Sequence, residues 1–242
     1  MTRLVLLCVV LNSALLSEEA EKPIWAKAAV PLGSCLGAGN RIPSPDGKAV
    51  VQMQCHAPKG DNDPIPYLRV RVAAGAWHDI ELDEGAHELL WSPDSKAFLI
   101  NGGTSAYAGF FVSVYLVSDA GVQKTAVTKT VQIDMVKTFP PCKAFNRDEA
   151  TCHEIARDPE FNVSGLAWVN GSAAIVVMAE VPCSSSYGGI MCQVQGYQME
   201  VPGGTISMRM TAHELKARWQ RSMAWNLRIP EPAKYGPPQR RQ

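Results

Sequence analysis

The sequence predicts a mainly β protein made of repeated antiparallel sheet modules, with a short helical insertion and a C-terminal helix. Three observations carry this expectation. A tight-turn motif leading into a β-rich run occurs three times, the strands around it alternate apolar and polar residues, and helix-start chemistry is confined to two stretches.

The repeat is read first. Ile42-Pro43-Ser44-Pro45-Asp46-Gly47-Lys48-Ala49-Val50-Val51 aligns with Leu90-Trp91-Ser92-Pro93-Asp94-Ser95-Lys96-Ala97-Phe98-Leu99. A looser third copy is Ala167-Trp168-Val169-Asn170-Gly171-Ser172-Ala173-Ala174-Ile175-Val176. In each, an apolar strand ends, a Pro-Asp or Asn-Gly turn reverses the chain, and a new strand begins. The first copy continues from Val50–Gln54 through a loop at His56–Pro66 to Tyr67–Val72. The second continues from Ala97–Ile100 through Gly102–Gly109 to Phe110–Val117, and the third from Ala174–Ala179 through Pro182–Cys192 to Gln193–Val201. Period-two alternation in Tyr67–Val72 points Leu68, Val70 and Val72 to the core. Phe110–Val117 is apolar on both faces, as a central strand would be.

Pro45 and Pro93 are 48 residues apart, whereas Pro93 and Asn170 are 77 apart. The excess of 29 predicts an insertion at about 134–162. Asn146 and Glu149 supply a capping box there for a helix ending near Arg157, ahead of Pro159. A second capping box, Thr211-Ala212-His213-Glu214, starts a helix running to about Trp225, with Leu215, Trp219 and Met223 packed on the sheet. Residues 229–242 hold four prolines and Gly236 and read as an extended tail.

The Ser-Pro-Asp turns followed by a strand resemble the PD40 or TolB-type β-propeller repeat over residues 40–75 and 88–130 and, loosely, 165–210. The resemblance implies one four-stranded blade per repeat and a structural rather than catalytic motif. Closed propellers have about four to eight blades. Three copies therefore predict a partial propeller-like array, or a two-sheet sandwich that reuses the turn.

The N-terminus has secretory-leader chemistry. Arg3 precedes a 13-residue stretch, Leu4–Leu16, that is apolar apart from Asn12 and Ser13, and Glu18, Glu19 and Glu21 follow. This predicts a removed signal peptide at 1–17, a single β-rich domain at 18–228 and a flexible tail at 229–242. Removal takes away Arg3 and Cys8, so 23 basic residues become 22 and seven cysteines become six. An even count in an exported chain predicts disulfides. Several connectivities fit six cysteines, and short spacing favours Cys142 with Cys152 and Cys183 with Cys192, which leaves Cys35 with Cys55. Each bridge would add about 2–3 kcal/mol by restricting the unfolded chain.

The 242 residues are 46% hydrophobic and balance 23 basic against 23 acidic groups, which leaves no overall positive field for nucleic acid. No apolar run reaches the roughly 20 residues of a membrane-spanning helix, so no transmembrane anchor is expected. The five histidines include His87-Glu88, His153-Glu154 and His213-Glu214, but no His-Glu-x-x-His follows, and no cysteines have zinc-site spacing. No nucleophile elbow, phosphate loop or dinucleotide glycine pattern is present, so no metal, cofactor or catalytic residue is assigned. Tyr67, Arg69 and Arg71 share one strand face, expected to be solvated. Asn162-Val163-Ser164 and Asn170-Gly171-Ser172 match the glycosylation sequon.

If the repeats are equivalent, their three loops leave one end of the sheets and bring Asp61, Asp63, Tyr107 and Tyr187 together. Aromatic and acidic residues on stapled loops suit recognition of a protein or peptide. The functional expectation is an exported, periplasmic or extracellular, non-catalytic binding or scaffold protein, whose exposed sheet edges would invite pairing of copies. The alternative is an exported hydrolase whose site is assembled from residues distant in sequence.

Overall fold

The computed structural model describes residues 22–33, 41–56, 64–82, 85–103, 109–138, 161–182 and 192–229. The chain is mainly β, with three antiparallel sheets, each a meander in sequence order. The first sheet contains β2 (Arg41–Pro43), β3 (Ala49–Cys55), β4 (Pro66–Val72) and β5 (Trp77–Glu81). The second contains β6 (Ala86–Trp91), β7 (Ala97–Gly103), β8 (Phe110–Ser118) and β9 (Gly121–Ala126), joined at the β6 edge by β1 (Val30–Pro31). The third contains β10 (Asn162–Val169), β11 (Ala174–Glu180), β12 (Val194–Glu200) and β13 (Thr205–Thr211).

The sequence repeat is a structural repeat in register. Pro43 pairs with Val50, Trp91 with Phe98 and Trp168 with Ile175. Ala49, Ala97 and Ala174, the first residue after each turn, pair with Val72, Leu116 and Glu200. The first two turns are the same hydrogen-bonded cassette. The Ser44 hydroxyl donates to Asp46 Oδ1 at 2.7 Å and accepts from Ala49 N at 2.9 Å, and Lys48 N donates to Asp46 Oδ1 at 3.0 Å. Ser92, Asp94, Ala97 and Lys96 repeat these bonds at 2.7, 3.0 and 3.3 Å. Gly47 and Ser95 take φ of 72° and 63° there, and glycine is the unstrained choice. The third turn uses Asn170 and Gly171 at φ 52° and 72°, the conformation Asn-Gly favours.

The sheets stack face to face, so side-chain alternation assigns each strand residue to one junction. Val51, Met53, Leu68 and Val70 of the first sheet meet Leu89, Phe98, Ile100 and Tyr115 of the second. Leu99, Val112 and Val114, on the other face of the second sheet, meet Val163, Ile175, Val177 and Tyr197 of the third. The far side of the third sheet is covered by α2 (Ala212–Trp219) and the segment after it, through Leu166, Val176, Met178, Leu215, Met223 and Leu227. This layering explains why β8 is apolar on both faces whereas β4 alternates. Val72, expected in the core, is only half-buried, because it ends its strand.

Two polar links recur at successive junctions. The Trp91 indole N–H donates to Ile42 O at 3.4 Å, and the Trp168 indole donates to Leu90 O at 3.1 Å, the equivalent carbonyl one sheet further on. At the turns, Asp46 N donates to Ser95 Oγ at 3.0 Å, while Ser172 N and Oγ donate to Asp94 Oδ2 at 3.1 and 2.8 Å. Each sheet therefore reaches back to its predecessor with a tryptophan and a serine. The first sheet has Pro43 and Gly47 at those two positions and can make neither bond. The third sheet has Gly171 where Asp46 and Asp94 stand, so it offers no carboxylate to a successor. The first sheet thus lacks both backward links, and the third lacks the carboxylate that the second junction uses.

Helices differ from the sequence expectation in detail. The Thr211 hydroxyl and the Glu214 carboxylate form the expected capping box, but α2 ends at Trp219 and a 3₁₀ turn, Gln220–Ser222, follows. An additional helix, α1 (Thr128–Lys137), starts before the predicted insertion boundary at 134. Its β-branched Thr128, Thr130, Val131, Ile133 and Val136 disfavour helix locally, and burial of Val131 and Met135 between the second and third sheets overrides that preference. The predicted helix from Asn146 to Arg157 lies outside the described residues, as does the tail beyond Ile229.

The segment before β1 is tied down by one buried carboxylate. Glu88, 0% exposed in the middle of β6, accepts from Ile24 N at 2.8 Å, Trp25 N at 3.1 Å, Ala26 N at 2.7 Å and Asn101 Nδ2 at 2.9 Å. Asn101 also brackets Gly165 of the third sheet, donating to its carbonyl at 2.8 Å and accepting from its N–H at 2.7 Å. The same segment bonds to the C-terminal region through Lys27 N to Ser222 O and Ala224 N to Trp25 O. Glu88→Gln replaces one acceptor oxygen with a donor facing backbone N–H groups. It should cost about 3 kcal/mol, seen as a lower urea midpoint with an unchanged slope in equilibrium unfolding.

Candidate binding face

The middle strands of the repeats, β3, β7 and β11, each start at a turn cassette and run away from it to Cys55, Gly103 and Glu180. The cassettes bond to one another, so these three strand ends share the opposite end of the array. The loops predicted to carry recognition are rooted here, although Asp61, Asp63, Tyr107 and Tyr187 themselves lie outside the described residues. Glu180 stands at one root. Burial pushes its carboxyl above the ordinary range, and a hydrogen bond involving Asn162 offsets this in part. Cys55 and Cys192 stand at two roots, and no cysteine pair at bonding distance falls within the described residues. Cys35, Cys142, Cys152 and Cys183 lie outside them.

From the Cys55 end, a polar and aromatic surface continues along the far face of the first sheet. Register puts Val50, Arg71 and Trp77 in one row, Arg41, Gln52, Arg69 and Asp79 in the next, and Gln54, Tyr67 and Glu81 in a third. No described element covers these rows. The Arg69 guanidinium pairs with Asp79 at 3.0 Å and lies 5.1 Å from the Trp77 ring centroid. Arg71 lies 4.9 Å from the same ring. Tyr67 donates to Gln54 Oε1 at 2.7 Å and stacks on His56, with centroids 4.2 Å apart. The expected solvated strand face is thus an organised one, in which Trp77 sits under two cations and is half-buried.

Trp77 and Asp79 did not emerge from the sequence reading. The signal for them is the short reversal Ala73-Ala74-Gly75, with Ala73 at φ 50°, which folds the chain back so that Trp77 faces Arg71. Two other expectations change. Asn162 and Ser164 are 2% and 0% exposed, so that sequon is closed to a glycan, whereas Asn170 is exposed at a turn. His87, for which an exposed or singly hydrogen-bonded side chain is expected, is 4% exposed and meets Phe111 edge-on.

A groove of about 310 Å³ lies between α1, β12 and the start of α2, and is lined by Gln193, Gln195, Arg209, Thr211 and Glu214 among others. Its polar groups are engaged within the fold. Arg209 Nε and Nη2 donate to Asp134 Oδ2 and Oδ1, both at 2.7 Å. Gln195 Oε1 accepts from Tyr197 at 3.0 Å and Thr138 at 3.3 Å, and Thr211 and Glu214 are the capping box. Among the described residues no group of three or more histidine, cysteine or acidic side chains could hold a metal ion, and no helix is long and apolar enough to cross a membrane.

No known protein family matches the chain, no curated protein matches its sequence, and no solved structure matches its fold.

The Arg209 hydrogen bonds, reinforced by its charge, hold the Asp134 carboxyl below the ordinary carboxylate range against a smaller opposing effect of burial. A carboxyl depressed in the folded state adds stability above its unfolded pKa and loses it as pH falls through the folded value. Asp134→Asn should therefore flatten the acid limb of the stability curve. Thermal melts between about pH 5 and about pH 2 should show a smaller loss for the variant than for the parent.

Proposed function

We propose that this chain is an exported, non-catalytic binding or scaffold protein that recognises a protein or peptide. The observation that carries the reading is the far face of the first sheet, where two arginines clasp a half-buried tryptophan and no described element covers them. Tryptophan, tyrosine and arginine are the residues that dominate binding energy at interfaces. The absence of the backward-reaching tryptophan and serine from the first sheet supports a face kept for something other than a further repeat. The loops carrying Asp61, Asp63, Tyr107 and Tyr187 would extend this surface from the adjoining end.

Export is supported by the charge and apolar pattern of residues 1–17. We infer the pairings Cys35–Cys55, Cys142–Cys152 and Cys183–Cys192 from sequence spacing. The sheets are taken as blades of a PD40 or TolB-type array, a reading supported by the two Ser-Pro-Asp cassettes and their common bonds. A hydrolase is the second reading, and the raised Glu180 carboxyl beside a loop root is what favours it, since a general acid needs such a shift.

Affinity capture with the mature, oxidised chain from its own envelope or medium tests the proposal. A stoichiometric protein partner is expected, released by Trp77→Ala. A partner retained by Trp77→Ala, or an unprocessed N-terminus with free thiols in the natural product, would sink the reading.

A further inference from the structure

Resting on that binding reading, we propose that the far face of the first sheet takes an acidic, extended segment of a protein partner, with Arg71 and Arg41 receiving its carboxylates and Trp77 an adjoining apolar side chain.

Among the described residues, charge on the face is not balanced internally. Three arginines, Arg41, Arg69 and Arg71, share it with two carboxylates, Asp79 and Glu81. Asp79 is committed to Arg69 at 3.0 Å. Arg71 has no ion pair among the described residues, and its Nε is buried with no hydrogen-bond partner, a donor withdrawn from water and left unsatisfied. A guanidinium in that condition gains most from a carboxylate, which meets its planar donors in a bidentate pair. The chain as a whole is neutral, so this local excess of positive charge is a specific complement rather than part of a general field.

Two other occupants fit less well. A second copy stacking as the sheets do within the chain would need the reaching-back tryptophan and serine, and the first sheet has Pro43 and Gly47 there. Single-stranded nucleic acid binds through successive aromatic rings in a basic groove, whereas the described face sets two carboxylates among its three arginines and the chain has no net charge.

The test is selection of a random peptide library, about 10 residues long to match an extended strand, on the full-length oxidised chain. The expected result is enrichment in Asp and Glu together with an aromatic or aliphatic residue. An individual selected peptide should bind at least about tenfold more weakly to Arg71→Gln and to Trp77→Ala, weaken with added salt, and recover in part with Arg71→Lys. Melting temperatures of the variants, held close to that of the parent, separate loss of contact from loss of fold. Selected peptides without acidic excess, affinity unchanged in Arg71→Gln, or displacement of the peptide by a mixed-sequence oligonucleotide would overturn the proposal. If Trp77→Ala releases the natural partner while the library yields no acidic peptides, the partner chemistry is wrong and the binding face stands. If Trp77→Ala releases neither, both fall.

Discussion

The architecture depends on how one sheet holds the sheet before it. Apolar burial between two faces is non-directional and would tolerate sliding. The indole bonds from Trp91 to Ile42 and from Trp168 to Leu90, with the serine contacts at the turns, convert that burial into a defined register. Each of the five bonds is worth only about 1 kcal/mol net, but they recur at equivalent positions at both junctions. The Asp94 carboxyl shows the coupling. Burial pushes it up, yet hydrogen bonds from Ser92 in its own turn and Ser172 in the next, with backbone donors, carry it below the ordinary range.

Pro43 and Gly47 leave the first unit without either link backward. The last sheet is then capped by α2, whose Leu215 is fully buried against it. A strap closes the structure differently, with residues 24–26 held on the buried Glu88 carboxylate and bonded onward to the C-terminal segment. Such a carboxylate is stable only because four donors replace its lost water. One end of the stack is thereby covered, and the other is left with the Arg-Trp lattice.

Much of this was legible in the residues. The three turns, their alignment and six of the strands follow from Ser-Pro-Asp, Asn-Gly and period-two alternation, because turn dihedrals and pleat geometry are local properties. The capping box at Thr211 and Glu214 was legible for the same reason. Helix α1 was not, since its β-branched residues favour strand and only Val131 and Met135 in a shared core make it helical. The far face of the first sheet was half legible: Arg69 and Arg71 could be placed on one side of β4, but Trp77 and Asp79 belong to a strand whose one local signal is the short reversal Ala73-Ala74-Gly75.

Sequence alone determined where the chain turns, which strand residues face inward, and that the repeats are copies of one unit. Tertiary structure alone decided that the copies form three stacked sheets, that Asn162 and His87 are buried, and that Glu88 becomes the anchor of a distant segment. The division has a physical cause. Dihedral preference and side-chain alternation act between residues a few positions apart, whereas desolvation and long-range hydrogen bonds depend on which surfaces meet, as between Glu88 and Ile24, 64 positions apart.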